Sequence, residues 1–148
     1  MKTIKGILFA IILFPAFGLV SCTSGAARVE EQNYSLVDIR RAIISVVGQP
    51  RSISDDERLI LTQYFGPKSD KKFDSTKSKV RKYGRISIIG DRRPYDVSAD
   101  VFVEEKQEGH YEETGTDDNT AHAMVRAIKK RLHQSPEDRN VIDDFRAF

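Results

Sequence analysis

Val80 to Glu105 reads VRKYGRISIIGDRRPYDVSADVFVEE. Two runs rich in β-branched and aromatic residues, Val80 to Ile89 and Tyr95 to Glu105, flank the turn-forming Gly90, Asp91, Arg92, Arg93 and Pro94. That pattern predicts an antiparallel hairpin with a loop at residues 90–94. In the second run Tyr95, Val97, Ala99, Val101 and Val103 fall on one face. Asp96, Ser98, Asp100 and Glu104 fall on the other, with Phe102 interrupting. A period of two with one apolar row means one face on a core and one in water.

Working toward the C-terminus, Gln107, Glu108 and Gly109 turn the chain into a short third strand from His110 to about Thr114. Asp117 and Asp118 then open a helix, since carboxylates favour the positive end of the helix dipole, and Arg126, Lys129, Lys130 and Arg131 populate its far end. Its apolar stripe is Ala121, Met124, Val125, Ile128 and Leu132, and Ser135-Pro136 ends it. In the tail beyond, Val141, Ile142, Phe145 and Phe148 are apolar at helical spacing, which predicts docking on the domain or on a partner.

Toward the N-terminus, Gly66 to Ser78 is lysine- and serine-rich around a lone Phe73 and reads as a mobile loop, or at best as an extension of the following strand. Arg58 to Phe65 reads as a strand, although Ser54 with Glu57 is also a capping pattern for a short helix. Ser35 with Asp38 starts a helix over about 35–47, with Leu36, Ile39, Ile43, Val46 and Val47 at helical spacing and Gly48, Gln49 and Pro50 stopping it. These elements predict an α+β domain over 34–148: an antiparallel sheet of three to five strands with two helices packed on one face.

The 148 residues suit one domain with extras, and 39% hydrophobic against 31% charged residues is enough for a folded core. One cysteine makes no internal disulfide, and with three histidines leaves little for a four-ligand zinc site. The formal charge of +2 vanishes when Lys2 and Lys5 are set aside. A neutral body argues against nucleic-acid binding.

Those two lysines precede an apolar run from Ile7 to Val20 that contains Pro15 and Gly18. The run is shorter than the roughly 20 residues a spanning helix needs, so it reads as an export signal over residues 1–21. At its end stand Leu19, Val20, Ser21 and Cys22, the only cysteine. This quartet resembles the lipobox of bacterial lipoproteins. The resemblance implies a diacylglyceryl thioether on Cys22, cleavage between Ser21 and Cys22 by signal peptidase II, and acylation of the new amine. Two or three acyl chains anchor durably where one does not. Thr23 and Ser24 lack the aspartate that resembles an inner-membrane retention signal, which implies the outer membrane of a diderm source, with the domain facing the periplasm. Residues 22–33 read as a lipidated flexible tether.

Charge is segregated further along: residues 68–93 hold ten basic and three acidic side chains, and 96–118 hold nine acidic and one basic. Cross-strand pairing accounts for this without a ligand. An anion-binding loop of Arg92, Arg93 and Tyr95 is the other reading, with guanidinium forks taking phosphate or carboxylate. Asp118 and His122 are four apart on the last helix, which offers two ligands and not a metal site. No Gly-x-Ser-x-Gly, His-Glu-x-x-His or phosphate-cradling glycine loop occurs. The expectation is a non-enzymatic, membrane-anchored envelope lipoprotein without cofactor, which binds an envelope component, with an envelope protein as the expected partner, or supports assembly of an envelope complex. The alternative is a small periplasmic ligand-binding or inhibitor module using the Arg92/Arg93 loop.

Overall fold

The computed structural model describes residues 26–67 and 73–134. The lipobox Leu19-Val20-Ser21-Cys22 and the apolar tail beyond Ser135 lie outside them. The order is β1 (Ala27–Gln32), α1 (Leu36–Val47), β2 (Ser52–Ile53), β3 (Leu59–Leu61), β4 (Val80–Ile89), β5 (Tyr95–Gln107), β6 (His110–Thr116) and α2 (Asp118–Gln134). All six strands form one antiparallel sheet in the order β1-β5-β4-β3-β2, with β6 also on β5. The fold is α+β, as the sequence implies, with six strands where three to five were expected.

The β4–β5 hairpin is the axis of the sheet, paired without a break from Val80↔Glu105 to Ile89↔Asp96. Because β4 occupies one edge of β5 along that length, β1 and β6 share the other. β1 pairs with the first half of β5, and β6 with the second half from Phe102 to Gln107. The β5–β6 turn has positive φ at both Glu108 (48°) and Gly109 (94°). That is the geometry whose twist matches two flanking strands, and Gly109 supplies the residue that adopts it freely.

The helices cover one face. Ile86 and Ile88 from β4, Val97, Ala99 and Val101 from β5, and Ile60 from β3 meet Ile39 and Ile43 of α1 and Val125, Ile128 and Leu132 of α2. Burying each such aliphatic side chain is worth roughly 1.5–3 kcal/mol. The predicted stripe of α2 is the buried one, with Met124 only half-buried. The Ser35 hydroxyl accepts from the Asp38 amide at 3.1 Å and caps α1, and Gly48, at φ 77°, closes it by donating to the Ile44 carbonyl.

Three strands depart from the sequence reading. The 22–33 tether is too long, because residues 27–32 of it are β1, with Ala27, Val29 and Gln32 buried. Its alternation is interrupted by a register shift between Val29 and Gln32, where Glu31 takes φ 56°, so only two apolar residues carry the period. β2 is two residues long and is held by Ser52↔Leu61 and Ile53↔Ile60. The strand expected over 58–65 is shorter, Leu59–Leu61, followed by an isolated bridge Phe65↔Lys82. Ser54 shapes a turn rather than a helix: its hydroxyl donates to Asp56 at 2.5 Å and accepts from the Leu59 amide at 2.9 Å. Within the loop expected to be mobile, Ser75, Thr76 and Ser78 are tied to β5 and β6. The Tyr111 hydroxyl lies 2.7 Å from the Ser78 carbonyl and 2.9 Å from that of Ser75, and the Lys106 ammonium donates to the Thr76 carbonyl at 3.0 Å.

Candidate functional site

With both helices on one side, the other side of the sheet carries the odd-numbered residues of β4 and the even-numbered residues of β5. Cross-strand register sets them in rows: Arg81↔Glu104, Tyr83↔Phe102 and Arg85↔Asp100. Arg81 bonds Glu104 at 2.5 Å with both side chains 15% exposed, and Arg85 bonds Asp100 at 3.1 Å. Arg28 of β1 extends the pattern by pairing with Asp96. Arg28 holds the Asp96 carboxyl below the ordinary aspartate range, helped by the Glu31 amide. Of the segregated charges of the sequence, Arg81–Glu104 and Arg85–Asp100 are therefore cross-strand partners, Lys82 reaches Asp117 at the start of α2, and among the described residues this face is close to neutral.

Between the ion pairs runs an aromatic and guanidinium stack. The Arg81 guanidinium lies 3.8 Å from the Tyr64 ring centroid and 3.5 Å from that of Tyr111. Tyr83 stacks on Phe102 at 5.2 Å and meets Tyr64 edge-on at 5.9 Å. Arg51 lies over both tyrosines and Arg85 over Phe102. Each such contact contributes about 0.5–2 kcal/mol and fixes the orientation of a long side chain that would otherwise be mobile. Burial, then Glu113 and Glu104, raise the Tyr83 hydroxyl above its ordinary value, so it remains a neutral donor aimed at Glu113, 3.5 Å away. The four rings and Arg51 are half-buried or exposed. They form a preorganised surface and not a cleft.

The other predicted site residues are dispersed. Arg92 is exposed and Arg93 half-buried, but Tyr95 is 4% exposed and belongs to the hydrophobic core. Tyr95 starts the apolar row of β5, so it is a core residue rather than a member of an anion-binding trio with the two arginines. The loop is held instead by Arg58, whose guanidinium donates to the carbonyls of Gly90 and Asp91 and lies 5.7 Å from the Tyr95 ring. Asp118 and His122 are both exposed on α2, and among the described residues no three potential metal ligands gather. His110 bonds Glu112 at 2.7 Å, and His133 bonds the Tyr34 hydroxyl at 3.2 Å.

Asp117, and not Asp118, caps α2. It accepts from the Thr120 amide at 3.0 Å and hydroxyl at 2.7 Å, and Lys82 bonds it at 2.5 Å. Lys82 and Thr120 together hold its carboxyl down at about 2. One apolar groove of about 360 Å³ opens where the end of α1, residues 62–65 and the start of α2 meet, lined by Val46, Val47, Phe65 and Met124 among others.

The sequence could not expose the aromatic stack as one site. Tyr64 and Tyr111 lie outside the hairpin, and only the Phe65↔Lys82 bridge and the β5–β6 register bring them to Arg81. The available signal was Phe102, an apolar residue interrupting the wet face of β5. No family model, curated protein or solved structure matches the chain.

Proposed function

We propose that the chain is a lipid-anchored, non-enzymatic envelope protein, tethered through acylated Cys22, that docks an envelope protein on the open face of its sheet. The lipobox resemblance supports the anchor. The observation that carries the docking surface is the Arg81–Tyr64–Tyr111 and Tyr83–Phe102 stack on the face opposite the helices. Tyrosine, phenylalanine and arginine are the types enriched at protein interfaces, and rings already held in place lose little freedom on binding. Paired charges leave that face nearly neutral, which favours a protein over a polyanion.

The test is Arg85→Glu in the full-length protein, followed by cross-linked affinity recovery from native membranes. Arg85 is 47% exposed, so its pair with Asp100 is worth under about 1 kcal/mol. The variant also loses the Phe102 contact and sets a glutamate opposite Asp100, so a fall of about 1–3 kcal/mol with the fold kept is expected. Loss of one discrete partner from a variant still folded at the temperature of the assay supports the reading, and undiminished recovery contradicts it.

A further inference from the structure

The helix layer and the far end of the β5–β6 arm differ in charge. α1 and α2 together carry six basic and two acidic side chains, and because Arg40 pairs with Glu57 and Arg41 with Asp38 the basic excess lies on α2, at Arg126, Lys129, Lys130 and Arg131. The β5–β6 arm from Tyr95 to Thr116 carries one basic and seven acidic ones. Asp96, Asp100 and Glu104 are paired with Arg28, Arg85 and Arg81, which leaves the acidic excess at Glu105, Glu108, Glu112 and Glu113. On the outer line of α1, Val37 (41% exposed) and Ile44 (38% exposed) flank the exposed Arg41, while α2 turns Arg126 and Lys130 outward. An apolar and basic face of this kind suits the interface of an anionic bilayer.

Chain length supplies the second constraint, and it rests on the lipid-anchor reading of Cys22. Because β1 begins at Ala27, five residue steps separate the fold from the anchor, which is at most about 18 Å of chain. Ala27 pairs with Ala99, and β5 continues eight residues further to Gln107, about 26 Å. Strands standing upright with the β5–β6 end down would drive the polar Glu108–Gly109 turn into the lipid. With the other end down the leash would have to double back about 13 Å along the strand and past the 90–94 loop, which leaves it no slack. The β2 edge lies four strand spacings from β1, about 19 Å, which would need the leash fully extended. The outer helix surface, about 15 Å from the sheet, is within it. The open sheet face is also within reach, but its charges are paired with one another.

We infer that the domain lies down on the membrane, with the outer faces of α1 and α2 on anionic phospholipid headgroups and the open sheet face turned away. The acidic β5–β6 arm is then kept off the like-charged surface.

The chain contains no tryptophan, so one introduced residue reports alone. Full-length protein from membranes, carrying Ile44→Trp on the helix face or Ile89→Trp on the sheet side, is reconstituted into phosphatidylcholine vesicles with brominated acyl chains, with and without phosphatidylglycerol. The expected result is a blue shift and strong quenching at position 44 only. That signal should require phosphatidylglycerol and be lost with Arg126→Glu and Lys130→Glu. Equal quenching at both positions, or none at position 44, overturns the inference. Mass spectrometry of Cys22 on the same samples separates the two readings. An acylated protein without quenching at 44 defeats the inference and leaves the anchor standing, whereas quenching at 44 with an unmodified Cys22 defeats the anchor and supports the helix face.

Discussion

At the scale of single residues, Asp117 joins two jobs: it caps α2 through Thr120 and fixes Lys82, which extends from the helix-facing row of β4. Its carboxyl is held at about 2, below the 3.9 of an unfolded aspartate, so its contribution is complete above pH 4 and disappears as the pH falls through 2. Asp117→Asn should keep the cap and lose the charge pair, flattening the acid limb of the stability curve between about pH 4 and 2. Asp117→Ala should cost about 1 kcal/mol or more at neutral pH, read by denaturant melts. Gly84 gives a second residue-scale expectation. A Cβ there would meet Thr62 Cγ2 at 3.0 Å and Met124 Cε at 3.2 Å, so Gly84→Val should destabilise by about 1–3 kcal/mol. The sequence marked Asp117 as a helix start because carboxylates and dipoles act locally. It offered two readings of Tyr95, first residue of the apolar row of β5 and neighbour of two arginines in a loop, and burial of the ring bears out the first.

At the scale of elements, the hairpin and both helices were legible because each carries several apolar residues at one period. β1 and β2 were not: a bulge at Glu31 truncates one pattern, and the other is two residues long, so tertiary pairing and not local propensity makes them strands. The tether reading of 22–33 failed for that reason. β1 covers the edge of β5 and adds Ala27 and Val29 to the core. A chain beginning at Asn33 should therefore melt well below one beginning at Cys22. Equal melting temperatures would show that residues 27–32 act as a tether after all. The stack on the opposite face was illegible because its members come from five separate segments, at residues 51, 64, 81–85, 102 and 111, whereas its ion pairs were legible as opposite charges on the two strands of one hairpin.

At the scale of the whole molecule, the two sides of the sheet have different work. Helices bury one side to make the core, and the other presents an aromatic and guanidinium surface that, on the lipid-anchor proposal, is turned away from the membrane. Cys22→Ala should abolish labelling by a tagged fatty acid and leave an uncleaved precursor, and persistent label on that variant would remove the anchor from the scheme. The docking surface is tested most directly by a photo-activatable residue placed in turn at Tyr83, at Phe102 and at Arg126, in cells, with adducts resolved by mass. Docking on the sheet face predicts the same discrete protein adduct from positions 83 and 102 and none of that mass from 126. Adducts of one protein from position 126 alone, or no adduct from 83 and 102, would contradict it.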